Sequence, residues 1–308
     1  MTLGSPALPC YRRGMKTSRL PVIAIAVSAL LWGVWWVPLR WLGEMGFAPL
    51  PLNALLYGAG ALILLPFLLA RGGLRRRPPH VLASGIALGF ALIAWNLALL
   101  HGEVVRVTLL FYLSAVWASL MEWVVLHRRI RLARVVAVLL GLGGAWVLLG
   151  GGGGPPVPRG IGDWFGIVSG LLFAIAVTVA NVTKALDSAE QTCVAFAAAA
   201  IIGFAATFAQ FGGLPSSDVT PYAYGAVIGL AVVWLLPISL LLFWGARSLP
   251  PGRVSLLMLL GVVAAVLSAT YLAVEPFTQI EAVGCALIIA SGLIEGVFPD
   301  RAELEPLA

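Results

Sequence analysis

The sequence predicts an all-α integral membrane protein whose ten transmembrane helices form two inverted five-helix repeats. Of its 308 residues, 61% are hydrophobic and only 10% are charged, whereas soluble domains carry about 25% charged residues. The hydrophobic residues form ten runs of about 20 residues, the length that spans a bilayer as a helix. The stretch from Arg106 to Leu110 reads Arg-Val-Thr-Leu-Leu, and it recurs as Arg-Val-Ser-Leu-Leu from Arg253 to Leu257.

The ten runs are joined by short connections that contain turn-forming prolines. They extend over residues 20–39, 50–70, 80–100, 104–126, 132–150, 162–182, 190–211, 221–245, 252–273 and 278–298. None alternates polar and apolar residues as a membrane β-strand does. We therefore divide the chain into an N-terminal tail (1–19), a first repeat (20–150), a Gly/Pro linker (151–161), a second repeat (162–298) and a C-terminal tail (299–308).

Two further landmarks support the repeat. Residues 28–34 align with residues 169–175 at an offset of 141, so that Trp32 stands opposite Phe173. The Gly-x-x-x-Gly pair at 85 and 89 aligns with the pair at 225 and 229 at an offset of 140. The two copies of the Arg-Val motif are 147 positions apart. Such glycine pairs let helices approach closely. The common order of the landmarks favours a repeat over coincidence in an apolar chain.

The basic residues predict the orientation in the membrane. If the N-terminus is cytoplasmic and each run crosses once, only three of the 19 basic residues lie outside, namely Arg40, Arg106 and Arg159. Cytoplasmic segments retain Lys and Arg, so both termini are expected inside. Five is an odd number, so the second half runs opposite to the first. Many secondary transporters have this architecture, with a substrate site near the midplane.

The first run also admits a different interpretation, because a basic segment before an apolar run resembles a signal peptide. Its counterpart in the second half favours a retained helix instead. Met15 is an alternative translation start, since we assign no role to residues 1–14.

One helical face carries an intramembrane carboxylate. Thr108, Tyr112, Ser119 and Glu122 recur at helical spacing, and lipid satisfies neither hydroxyl nor carboxylate. We predict Glu122 as a candidate cation or proton site. The alternative is that Glu122 pairs with His127 or the arginines that follow it at the inner end of the run.

Aromatic residues in the interior of runs need a reason other than interfacial anchoring. They either pack between helices or line a pocket for a flat or cationic ligand. Asn96 is a buried amide that serves either a helix-to-helix hydrogen bond or a ligand. The predicted cavity lining is Trp32, Trp36, Tyr57, Trp95, Asn96, Tyr112 and Trp234.

Other kinds of site are not indicated. The three cysteines and three histidines are scattered, so we expect no metal site, no cofactor and no enzyme activity. The glycines at 150–154 are not followed by Lys-Ser/Thr, as a phosphate-binding loop requires. The arginines lie between apolar runs, where membrane orientation explains them, so no nucleic-acid partner is expected.

From about Leu20 to Phe298 the chain resembles the EamA-type carriers of the drug/metabolite transporter superfamily. The resemblance rests on the five-plus-five helices, on Leu31-Trp32-Gly33, and on the Gly-rich closing helices at 134–150 and 281–297. Tyr57 and the tract from Ala94 to Gly102 resemble the aromatic amino-acid exporter branch. Two departures are His127-Arg128 in place of the usual Leu-Gly-Glu, and the lack of proline at 113–116.

The resemblance implies an inner (plasma) membrane carrier that exports a small molecule through a cavity lined by the first four helices of each half. We therefore expect a secondary transporter for an amino acid or related amine that works by alternating access. The alternatives are a carrier for a drug, a nucleotide-sugar-like or a guanidinium substrate, and a non-transporting receptor or assembly factor. No residue pattern defines the substrate, the coupling ion or the oligomeric state.

Overall fold

The structure, a computed structural model, describes residues 20–70, 79–126, 132–150, 158–183, 186–212, 219–248, 251–273 and 278–297. All regular structure within these ranges is helical. The first-half helices are α1 (Leu20–Val34), α2 (Trp36–Glu44), α3 (Pro49–Ala70), α4 (Pro79–His101), α5 (Val104–Phe111), α6 (Ser114–Leu126) and α7 (Leu132–Gly150). The second-half helices are α8 (Ile161–Thr183), α9 (Ser188–Phe211), α10 (Pro221–Leu230), α11 (Leu236–Ser248), α12 (Pro251–Ser268) and α13 (Gln279–Val297).

Each predicted run corresponds to one helix or to one interrupted helix. The first run bends at Trp35 between α1 and α2, and the fourth bends between α5 and α6. π-helical turns at Ala231–Leu235 and Ala269–Ala273 interrupt the eighth run and end the ninth. The first run continues to Glu44 rather than ending at 39, because Arg40 donates to backbone carbonyls instead of ending the helix.

Within the described ranges, six helical segments are long and apolar enough to cross a membrane. They are Leu20–Glu44, Pro49–Ala70, Leu82–His101, Ile161–Val179, Ser188–Phe211 and Pro221–Arg247. Four shorter apolar helices cover Val104–Ala118, Val135–Gly144, Leu260–Leu272 and Ala282–Ser291. The chain is therefore a multi-pass membrane protein, and ten crossings remain a prediction.

Helix ends follow local sequence signals. α9 begins with a capping box, in which the Asp187 carboxylate accepts from the Glu190 amide and the Glu190 carboxylate accepts from the Asp187 amide. It ends at Gly212, whose positive φ of 67° suits glycine. Thr220 caps α10, and Pro221 occupies its first position.

Two pairs of equivalent helices join the halves in antiparallel contact. α3 packs along α9, where Ala54 lies beside Gly203 and Gly60 beside Phe196. α7 packs along α13, where the Ser291 hydroxyl donates to the Ala137 carbonyl at 2.6 Å. The members of each pair hold equivalent places in the two repeats. An inverted repeat requires such antiparallel pairs, and the orientation in the bilayer remains a prediction.

The first helix of each half packs against the other half. α1 contacts α11 and α12, and α8 contacts α4, α5 and α6. The Ser28 hydroxyl donates to the Ile238 carbonyl at 2.7 Å, and its repeat equivalent Ser169 donates to the Ala91 carbonyl at 2.8 Å. Ile238 follows Ala91 by 147 positions, so the larger offset already applies in the third run.

The glycine pairs do not have equivalent roles. A Cβ on Gly89 would lie 2.7 Å from the Ala195 carbonyl oxygen of α9, so this pair does bring two helices together. For Gly225 and Gly229, no described atom lies within 4 Å of an added Cβ. The second pair therefore brings no two described helices together, and the common spacing does not reflect a common packing role.

Candidate functional site

A cavity lies where α1, α4 and α5 of the first half meet α8, α11 and α12 of the second. These helices belong to the first, third and fourth runs of each half, while α3 and α9 contribute no lining residue. Measured as the space open to the centres of water molecules, its volume is about 60 Å³. One water needs roughly 10–15 Å³ on this measure, so the cavity suits a compact ligand.

Six of the sixteen described residues that line the cavity are aromatic. Phe111 contacts three of them, because its ring centroid lies 4.8 Å from that of Trp95, 5.4 Å from that of Phe173 and 5.5 Å from that of Tyr112. Trp32 and Phe173, which the repeat alignment makes equivalent, both line the cavity. None of the described lining residues is charged. The wall therefore offers ring faces and neutral polar groups to a ligand.

The structure brings together only part of the predicted lining. Trp32, Trp95 and Tyr112 lie on the wall, whereas Trp36, Tyr57, Asn96 and Trp234 are not among the lining residues. Sequence reasoning missed Phe111, Phe173, Phe243 and Ser239. The alignment of Trp32 with Phe173 was the available signal for Phe173. A role for any of these residues in substrate binding remains a prediction.

Asn96 is the centre of a buried polar chain beside the wall. Its side-chain oxygen accepts from the Trp35 indole at 3.0 Å, and its amide donates to the Asn53 side-chain oxygen at 2.8 Å. The Asn53 amide donates to the Pro49 carbonyl at 2.7 Å. The chain joins α3 and α4 to the bend between α1 and α2. Asn96 thus makes the helix-to-helix hydrogen bonds that were the alternative to ligand contact.

Tyr57 and Tyr112 also bind backbone carbonyls of neighbouring helices. The Tyr57 hydroxyl donates to the Leu92 carbonyl of α4 at 3.3 Å. The Tyr112 hydroxyl donates to the Met258 carbonyl of α12 in a short contact. Tyr57 does not line the cavity, but it binds the backbone of α4, which forms part of the wall. Tyr112 connects the two halves at the cavity.

Trp36 connects the halves through a second side-chain contact. Its indole nitrogen donates to the Ser268 hydroxyl of α12 at 2.9 Å. The Arg40 guanidinium lies 5.2 Å from the centroid of the Trp36 ring. Arg40 also donates to the Leu99 and Gly102 carbonyls, which end α4. This cluster joins α2 to both α4 and α12.

We expect Trp36→Phe and Ser268→Ala to lower the free energy of unfolding by less in combination than the sum of their separate effects. Both variants remove the same hydrogen bond, and such bonds within membranes average about 0.6 kcal/mol. Reversible unfolding in mixed micelles measures the coupling. Strictly additive effects would show that this hydrogen bond contributes nothing.

A buried ion pair lies at the start of α5 and α8. Arg106 Nε lies 2.8 Å from Asp163 Oδ2, and the two side chains are only 5% and 4% exposed. The same carboxylate oxygen accepts from the Arg159 amide at 2.8 Å. The sequence assigned Arg106 to an outer connection and gave Asp163 no role. In the structure, Arg106 of the first Arg-Val copy attaches the start of α5 to α8.

Some predicted features lie outside the described residues. Glu122 belongs to α6, but its side chain is not described, so the cation or proton site remains a prediction. Among the described residues, no group of three or more His, Cys, Asp or Glu is placed to hold a metal ion.

The comparisons with known proteins agree with the two-repeat helical fold. The model of the EamA-like transporter family matches residues 19–150 and 160–294, which covers both repeats. A solved structure titled "Crystal structure of protein" is similar in fold, with a TM-score of 0.62 and 22% identity over 89% of this chain and 97% of that chain. No curated protein matches the chain. Since the family model covers most of its length, this chain belongs to the EamA-like transporter family.

Proposed function

We propose that this protein is a secondary transporter that exports a small organic molecule, an amino acid or a related amine, across the inner (plasma) membrane. The cavity between equivalent helices of the two repeats is the observation that carries the proposal. Family membership supports a carrier of the drug/metabolite type. We add the substrate class, the direction of transport and the identity of the membrane to what family membership supports.

Alternating access is supported by the way in which the halves contact each other. α1 lies against α11 and α12 just as α8 lies against α4 and the α5–α6 pair, so the two contacts are equivalent in the repeat. In carriers built from inverted repeats, exchange of the two arrangements opens the site to one side and then to the other. The cavity lies between these two sets of helices, where such an exchange would alter access to it.

An amino acid suits the wall of the cavity. Its ammonium group is attracted to aromatic ring faces, which Phe111, Phe173 and Trp95 supply. Its carboxylate accepts hydrogen bonds from indole and hydroxyl groups. An aromatic side chain would stack against the same rings.

The test is counterflow in proteoliposomes. Vesicles loaded with an unlabelled aromatic amino acid are expected to accumulate the labelled amino acid transiently, at a rate well above that of protein-free vesicles. Binding without flux would favour the alternative of a receptor or assembly factor. Absence of flux for a panel of amino acids and amines would reject the proposed substrate class.

A further inference from the structure

We infer that the cavity binds a net-neutral small molecule that carries a carboxylate, and that Trp32, Trp95, Thr108 and Ser239 recognise that group. This inference deepens the proposed function and rests on it. Each of the four side chains has a buried polar atom with no hydrogen-bond partner in the described part of the chain. All four side chains line the cavity.

Such atoms normally have partners. A buried polar group left unpaired costs about 1–3 kcal/mol, so native structures contain few of them. Thr108 is 2% exposed and Ser239 is 1% exposed, so bulk solvent does not satisfy them. Of the eight such atoms in the described part of the chain, four belong to residues that line this one cavity, and we assign their missing partner to a ligand bound there.

Thr108 differs from other buried threonines in this protein. Thr178, Thr192 and Thr207 each donate to the carbonyl four residues earlier, at 2.8, 2.7 and 2.7 Å. Threonine in a helix commonly satisfies its hydroxyl in this way. The Thr108 hydroxyl has no such bond, and Thr108 is one of the residues that line the cavity.

The donors determine the chemical class of the ligand. An indole N–H only donates, and a hydroxyl donates or accepts. Two indoles and two hydroxyls therefore suit a group rich in acceptors, and a carboxylate has two acceptor oxygens. A phosphate ester would bring two negative charges to a wall whose described residues carry no charge. A bare guanidinium or ammonium would leave the indole donors unpaired. Nucleotide-sugar-like and guanidinium substrates are therefore disfavoured.

The repeat also predicts how the ligand is oriented. The equivalent of Trp32 is Phe173, and the equivalent of Trp95 at the offset of 147 is Leu242. Both equivalents line the cavity and lack a donor. The indole donors thus belong to the first half alone. The carboxylate is expected between α1, α4 and α5 of the first half and Ser239 of α11, with the body of the ligand toward Phe173.

The experiment is calorimetric titration of the purified protein in detergent with four probes. They are L-phenylalanine, L-phenylalaninamide, 3-phenylpropionate and phenethylamine. Phenethylamine, which lacks the carboxylate, is expected to bind at least about tenfold more weakly than L-phenylalanine. The amide, which keeps one carbonyl acceptor, is expected to lie between them. Loss of a hydrogen bond to a charged group corresponds to about tenfold or more in affinity.

Three variants assign the effect to residues. Thr108→Val and Ser239→Ala change the shape of the wall little and remove one hydroxyl each. Each is expected to weaken L-phenylalanine binding about tenfold and to leave phenethylamine binding unchanged. Thr207→Val, which removes a buried hydroxyl in α9 that does not line the cavity, is the matched control and should change neither affinity. Without ligand, Thr108→Val should keep or raise the thermal midpoint, because it removes an unpaired buried group.

The outcomes separate this inference from the proposed function. Equal binding of phenethylamine and L-phenylalanine, a Thr108→Val affinity within twofold of the parent, or no binding of any probe would overturn the inference. Binding of 3-phenylpropionate but not of L-phenylalanine, with the tenfold loss in Thr108→Val, would support carboxylate recognition by Thr108. It would overturn the net-neutral part of the inference and reject the amino-acid substrate. Binding with the expected losses but without vesicle flux would support the inference and reject transport.

Discussion

Asp163→Asn is expected to lower the free energy of unfolding by about 3 kcal/mol, the lower end of the ~3–5 kcal/mol for removing one partner of a buried ion pair. Arg106 and Asp163 are both nearly inaccessible to solvent, with 2.8 Å between Nε and Oδ2. Asparagine keeps the shape of the side chain but leaves the Arg106 charge without its carboxylate. The loss should appear as a large fall in the thermal midpoint of the purified protein.

The matched control is the double variant Arg106→Met with Asp163→Asn. It removes both charges, so no uncompensated charge stays buried, and we expect it to be more stable than Asp163→Asn alone. Replacement of a buried ion pair by neutral groups is often close to neutral in stability. If the double variant is instead less stable by the sum of the two single effects, the ion pair is not the source of the loss.

Gly89→Ala is expected to destabilise the protein, and Gly229→Ala to leave it unchanged or slightly more stable. A Cβ on Gly89 would lie 2.7 Å from the Ala195 carbonyl oxygen and 2.9 Å from the Ala199 amide nitrogen. These are backbone atoms, so α4 and α9 must separate, at a cost of about 1–3 kcal/mol. At Gly229, alanine meets no described atom and gains about 0.5–1 kcal/mol of helix preference.

The measurement is the thermal midpoint of each variant in the same detergent. Because both glycines end a Gly-x-x-x-Gly pair, the comparison removes any general effect of the motif. A fall of equal size in both variants would contradict the packing of α4 on α9. A rise for Gly89→Ala would show that the helices separate at little cost.

The apolar runs and the repeat were predictable from composition and spacing, because a helix that spans a bilayer needs about 20 consecutive apolar residues. The cavity wall was predictable only in part. Trp32, Trp36 and Arg40 share one face of an unbroken helix, but the chain turns at Trp35, where its amide donates to the Trp32 carbonyl. The turn changes the helical phase, so Trp32 faces the cavity while Trp36 contacts Ser268.

Other misses have similar physical causes. Trp234 lies in a π-helical turn, which changes the direction of side chains relative to α-helical spacing. Phe111 and Phe173 look like ordinary packing residues in sequence, because an apolar side chain on a cavity wall has no distinguishing pattern. The Arg106–Asp163 pair joins residues 57 positions apart, and no local rule matches partners at that distance.

The reciprocal serine bonds have a consequence for how the chain is built. Because α1 and α8 pack mainly against the opposite half, and Ser28 and Ser169 each bind it, we expect that neither repeat folds by itself. The arrangement resembles a domain-swapped dimer joined into one chain, because the first helix of each half packs in the interior of the other half. A substitution that disrupts the first helix of one repeat is therefore expected to destabilise the other repeat first.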